Sequence, residues 1–208
     1  MSICCSRLFL ILGLLVPFML RGQASAVSPS IPDTLSFDSG NLHLKGLLWK
    51  PTGKGPFPAV LFNHGSEASS LRYMGKLANV FTAQGYAFFA PFRRGQSLSR
   101  GQGSYILDQL DSAIKAGGPE ARVAMLIQLH EREQLADQLA GLACLKRQVG
   151  IDTNRIAVSG VSFGGIQTML IVAQPVGIKA AVNFAGAAMN WEKSEAIRNW
   201  MKGVVERA

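Results

Sequence analysis

Ser162 lies in Gly160-Val161-Ser162-Phe163-Gly164, a G-x-S-x-G pattern. The run at 155–160 reads as a buried strand, and the run from Phe163 reads as a helix. Nucleophilic attack on an acyl carbon needs a hydroxyl lifted clear of the backbone on a sharp strand-to-helix turn. Only small residues two positions to either side let the chain fold back there without a clash. Such a turn brings the hydroxyl to the carboxyl edge of a parallel sheet, where open α/β sheets place ligands. The helix that follows offers N–H groups and partial positive charge to a developing oxyanion. The bland alternatives are a glycine-rich phosphate loop or a plain tight turn. The chain has no G-x-x-x-x-G-K-[ST], nor a G-x-G-x-x-G after a strand, so the nucleophile reading is preferred.

Asn63-His64-Gly65-Ser66-Glu67 follows an earlier apolar run. Acyl transfer needs two N–H donors at the carbonyl oxygen. One belongs to the residue after the nucleophile, Phe163, and the other to a loop after an earlier strand, here Ser66 or Glu67. His64 could be a general base, but a loop-orienting role at a strand end is expected instead. His130, within the charged stretch His-Glu-Arg-Glu-Gln, reads as a solvated surface residue, and His43 belongs to an early strand. Asp152 is expected in a turn or cap, paired with Arg155, rather than in catalysis. The three histidines show no metal-ligand spacing and no cofactor motif is present, so neither a metal nor an organic cofactor is expected.

The elements that must position Ser162 follow from periodicity. Residues 41–51 alternate as a half-wet strand, whereas 59–65 and 86–91 are short apolar runs of central-strand type. Helix spacing covers 70–85. A largely helical insert runs from about 104 to 148, with Gly117-Gly118-Pro119 separating a shorter helix from a longer one. A strand at 178–186 and an amphipathic helix at 194–207 close the chain. Strands alternating with helices predict a mostly parallel sheet covered by helices on both faces.

Composition sets the limits. With 48% hydrophobic and 16% charged residues, the 208-residue chain can build one globular core. Its net charge of +8 is scattered rather than clustered, which argues against nucleic acid as a partner. Residues 1–26 carry Arg7, an apolar stretch at 8–20 broken by Pro17, and Ala-Ser-Ala at 24–26. That is a secretory signal pattern, too short for a stable membrane span, and it predicts an exported protein. Residues 27–40 read as a linker and 41–208 as the domain. Cys4 and Cys5 fall in the signal segment, which leaves Cys144 as a lone, inert thiol.

Four motifs, Phe-Asn-His-Gly-Ser-Glu, Phe-Phe-Ala-Pro-Phe-Arg-Arg-Gly-Gln-Ser-Leu-Ser, the stretch 151–165 and the stretch 179–191, come in one characteristic order. Over about residues 40–192 the chain resembles the dienelactone-hydrolase-like branch of the α/β-hydrolase superfamily, close to prolyl-oligopeptidase-type catalytic domains. The resemblance implies an eight-stranded sheet, Ser162 as nucleophile, and the loop after His64-Gly65 completing the oxyanion hole. It also implies a small-molecule ester, lactone or peptide-like substrate. The Arg-Gly loop at 93–95 resembles a structural feature of that family. Dienelactone hydrolase itself uses a cysteine, so its lactone specificity does not carry over. The family's acid and histidine follow the nucleophile, but residues 163–208 contain no histidine, and their acids are Glu192, Glu195 and Glu206. The expectation is therefore a C-terminally truncated α/β-hydrolase, impaired in catalysis and missing its last strands, or else a non-catalytic binding protein on the same fold.

Overall fold

The computed structural model describes residues 31–67 and 71–208. The signal-like segment lies outside the described residues. Six strands form one sheet: β1 (Asp33–Ser39), β2 (Leu42–Trp49), β3 (Phe57–Asn63), β4 (Ala87–Pro91), β5 (Ile151–Val161) and β6 (Ala180–Phe184). Their order is β1-β2-β4-β3-β5-β6. β1, β2 and β4 pair antiparallel, whereas β4, β3, β5 and β6 run parallel.

The expected linker at 27–40 is corrected in its described part. Residues 33–39 are β1, paired along their whole length with β2, from Asp33 opposite Leu48 to Ser39 opposite Leu42. Phe37 supplies the reason, because it is buried and meets Phe89 edge-on at 6.5 Å. A sequence that opens on Ser and Pro hides the alternation Leu35, Phe37 that the sheet uses.

The central strands read as unbroken apolar runs because both of their faces are covered. Alternate residues sort into two cores. Leu61, Phe89, Ile156 and Val158 face α2 (Ile106–Leu129), α3 (Leu135–Lys146), α4 (Phe163–Val172) and α6 (Glu195–Glu206). Val60, Phe62, Phe88 and Ala90 face Met74 and Ala78 of α1 (Leu71–Ala83). The chain thus has the α/β-hydrolase arrangement, with helices on both faces.

The helical insert is divided at Gly117-Gly118, where the sequence places the separation between a shorter and a longer helix. Within the span of α2 the backbone of Gly117 and Gly118 is non-helical (φ 72° at Gly118), so a shorter helical stretch precedes the break and a longer one follows it, and a π-type turn at His130–Gln134 joins the latter to α3. Ser194 caps α6 by accepting a 3.3 Å bond from the Ile197 N–H. The register aligns the carboxyl ends of β3 and β5, with Asn63 opposite Gly160. That pairing sets the loop after β3 beside the turn after β5.

Candidate active site

Ser162 occupies the turn between β5 and α4 with φ 54° and ψ −119°, a backbone region that side-chain-bearing residues rarely visit. Both flanking glycines are dictated by contact. A Cβ on Gly160 would run into the Gly164 carbonyl, and one on Gly164 into the Asn63 carbonyl oxygen. The turn is fastened from both sides. The Ser162 N–H donates to the Phe184 carbonyl at 2.9 Å, and the Ser162 carbonyl accepts from Gly165 and Ile166. Asn63 Nδ2 donates to Thr168 Oγ1, which donates to the Gly164 carbonyl, each at 2.9 Å.

A cleft of about 200 Å³ opens over Ser162. Ser66 and Phe163 line it with the serine, so the predicted site residues from β3 and β5 come together. The backbone N–H groups of Ser66 and Phe163 have no hydrogen-bond partner among the described residues. Glu67, the alternative donor residue, does not line the cleft, and its carboxylate accepts from Tyr73 Oη at 2.5 Å.

His64 does not reach into this cleft. It is fully buried; its Nδ1–H donates to the Gly65 carbonyl at 2.9 Å, and Nε2 accepts from the Arg93 N–H at 3.4 Å. Burial, and then the charge of Arg93, hold its imidazole well below the ordinary histidine range. Arg93 is itself fully buried, donating from NH2 to the Gly65 carbonyl at 2.6 Å and from Nε to Gln96 Oε1 at 3.2 Å. Gln96 Nε2 donates to the Glu67 carbonyl at 3.0 Å. Tyr105 Oη adds a 2.5 Å bond to the Ser66 carbonyl. These bonds fix the path of residues 65–67. Arg94 faces the other way, onto Asp137, with bonds of 2.7 to 3.0 Å.

His130 overturns its expected surface placement. It is buried completely, with Gln167 Nε2 donating to its Nδ1 at 2.8 Å and to its carbonyl at 3.0 Å. Its ring meets Phe163 edge-on at 5.0 Å and tilts against Trp200 at 6.2 Å. Burial, and secondarily Arg93, push its pKa down to about 3. The charged stretch misled because the π-type turn rotates His130 and Gln134 inward while Glu131 and Arg132 stay outside. His43 is exposed and paired with Asp38, and Asp152 pairs with Arg155 at 2.6 Å as expected. Cys144 is free and buried, and burial raises its thiol pKa.

Sequence reasoning missed several cleft residues: Arg122 and Leu107 from α2, and Ala187, Met189 and Asn190 beyond β6. The helix spacing of 106–129 placed α2, but no spacing rule aims a helix at a cleft across a glycine kink. Among the described residues no histidine or carboxylate bonds Ser162, no cluster suits a metal ion, and no helix is long and apolar enough to cross a membrane.

Comparison with known proteins sets this geometry in context. Residues 124–204 match the prolyl oligopeptidase family. The quorum-quenching protein AidA of Acinetobacter baumannii is 26% identical over 74% of this chain and 44% of its own length. The uncharacterized peptidase YtmA of Bacillus subtilis is 26% identical over 83% of this chain and 59% of its own. The chain therefore spans about half the length of the curated relatives it matches. A solved putative dienelactone hydrolase from Klebsiella pneumoniae superposes with a TM-score of 0.55 at 22% identity, over 75% of this chain and 60% of that one.

Proposed function

We propose that this chain, which has the α/β-hydrolase fold and matches the prolyl oligopeptidase family over residues 124–204, hydrolyses ester, lactone or peptide-like acyl bonds. In this reading Ser162 Oγ attacks the carbonyl carbon. The oxygen that becomes negative lies between the N–H groups of Phe163 and Ser66, while His64 and Arg93 hold the Ser66 loop from beneath. Collapse of the tetrahedral species breaks the bond to the alcohol or amine, which leaves with the proton given up by Ser162 Oγ, and the acyl-Ser162 ester that remains is cleaved by water to the acid and free Ser162. The reaction as written needs no metal or organic cofactor. The observation that carries the proposal is the strained Ser162 backbone, φ 54° and ψ −119°, in a cleft also lined by Ser66 and Phe163, whose backbone N–H groups have no partner among the described residues. Such strain costs about 1–3 kcal/mol and persists where a site requires it.

A second reading, a non-catalytic binding protein on the same fold, is favoured by the state of the two histidines packed closest to the elbow. Both rings are buried; His64 bonds Gly65 and Arg93, His130 Nδ1 accepts from Gln167, and neither ring bonds Ser162. A fluorophosphonate probe separates the readings. We expect stoichiometric labelling of the folded chain, lost in Ser162→Ala. An unlabelled Ser162 in folded protein overturns the hydrolase proposal and leaves the binding protein. The signal-like N-terminus further supports an exported protein, which N-terminal sequencing of the material recovered outside the cytoplasm would test.

A further inference from the structure

Arg122 is the one charged side chain among those lining the Ser162 cleft. Ser66, Ser162 and Phe163 line the same cleft, together with the apolar Leu107 and Met189. Arg122 is half-buried, and it makes no ion pair or hydrogen bond among the described residues. Of the arginines near the interior, Arg93 is bound to Gly65 and Gln96, and Arg94 to Asp137 and Glu133. Arg122 alone is held over the cleft with its donors unspent. Its placement is built into the fold. Gly118, at φ 72°, breaks the course of α2, and Arg122 falls one turn beyond the break. A guanidinium presents a rigid fork of N–H donors whose best match is a planar carboxylate, bound through two parallel bonds.

We propose that Arg122 is the specificity-determining residue of this cleft, and that it takes acyl substrates carrying a free carboxylate a few atoms from the scissile carbonyl. The claim deepens the hydrolase reading and rests on it for the word substrate. The anion site itself stands on Arg122. The cleft volume, about 200 Å³, limits the acyl group. A cleft this small suits a short acyl chain rather than a bulky one. A half-ester of a four-carbon dicarboxylic acid has an acyl part of that kind, with its carboxylate at the far end from the ester.

The test uses the full chain and two isosteric esters. Monoethyl succinate carries the carboxylate, and ethyl levulinate has a methyl group where one carboxylate oxygen would be. Dissociation constants are measured by backbone amide shift perturbation for the parent, Arg122→Gln and Arg122→Lys. The parent should bind monoethyl succinate roughly tenfold or more tightly than ethyl levulinate, the discrimination that one charge-assisted pair provides. The ratio should fall to about one in Arg122→Gln and survive in part in Arg122→Lys. Thermal unfolding of Arg122→Gln should match the parent, since no partner is left behind. Equal affinities in the parent, no detectable binding of either ester, or a preference unchanged in Arg122→Gln overturns the proposal. The same samples receive a neutral fluorophosphonate. Labelling without the carboxylate preference removes the Arg122 site and keeps the hydrolase. The preference without labelling removes the hydrolase and keeps an anion-binding cleft.

Discussion

Two walls meet at Ser162, and they are made differently. One is the end of β3 with the loop to Glu67. It is locked by a fully buried arginine, a buried histidine and hydrogen bonds from Gln96 and Tyr105. The other runs from β6 through α5 (Ala188–Trp191). Every residue of β6 is exposed, Met189 and Phe184 show 80% and 55% of their surface, and Ala185 and Ala187 take positive φ values of 53° and 63°. A buried, cross-bonded wall has one arrangement. The second wall is tied to β5 by strand pairing and to the core by Ala187, but leaves its side chains largely in water. Under the proposed hydrolase reading, the first wall carries the oxyanion donor and the second borders the acyl group.

The largest expected effect breaks the locked wall. In Gly164→Ala the new Cβ meets the Asn63 and His64 carbonyl oxygens, which are backbone atoms and cannot swing aside. Overpacking of this kind costs about 3 kcal/mol or more when the neighbours are rigid. Chemical denaturation should show a large drop in midpoint, or no cooperative transition at all. A variant as stable as the parent would mean that the β3 loop is not held as described.

Acid probes the same wall more gently. Burial lowers the pKa of both His64 and His130, the latter to about 3, whereas an unfolded histidine titrates near 6.5. Below pH 6.5 the unfolded chain therefore binds protons that the native chain refuses, so stability falls as pH falls. Each histidine contributes a slope of about 1.4 kcal/mol per pH unit until its folded pKa is reached. Above pH 6.5 neither contributes. Denaturation at pH 7, 6 and 5 should show the loss, and His130→Gln should remove one histidine's share of the slope. An unchanged slope would place His130 in water after all.

How much of this contrast was legible beforehand depends on the kind of signal. The elbow was readable because the steric demand of a sharp turn is written in Gly160 and Gly164, side by side with the serine. The two-sided strands β3 and β4 were readable because burial on both faces removes polar residues from the run. β1 was not, since two apolar residues between serines and acids carry weight only once Phe89 is known to lie opposite. His130 was misplaced because a π-type turn shifts the helical phase, and helical spacing carries no mark of that shift. Arg122 left no trace, because a kinked helix aims its side chains by tertiary packing.

Ser162 itself gives a smaller effect of opposite sign. Ser162→Gly should raise stability by about 1 kcal/mol, since glycine adopts the elbow backbone without strain, while fluorophosphonate labelling disappears. A destabilised Ser162→Gly would mean that the serine side chain contributes packing that outweighs its backbone strain.

The smallest stability effect lies on the open wall, where the contrast is sharpest. Met189→Ala removes a side chain with 80% of its surface already in water, so little apolar burial is lost. Its unfolding free energy should stay within about 0.5 kcal/mol of the parent. Yet Met189 lines the cleft with Ser162. Shortening it enlarges the space for the acyl chain without touching the donors at Ser66 and Phe163. Labelling by a set of fluorophosphonates of increasing chain length should therefore shift toward the longer chains, with the shortest probe unaffected. The pairing of an unmoved melting curve with a moved length preference is what an open wall predicts. If instead Met189→Ala slowed every probe alike, the β6 side would be setting the position of Ser162, and the division of labour between the two walls would fail.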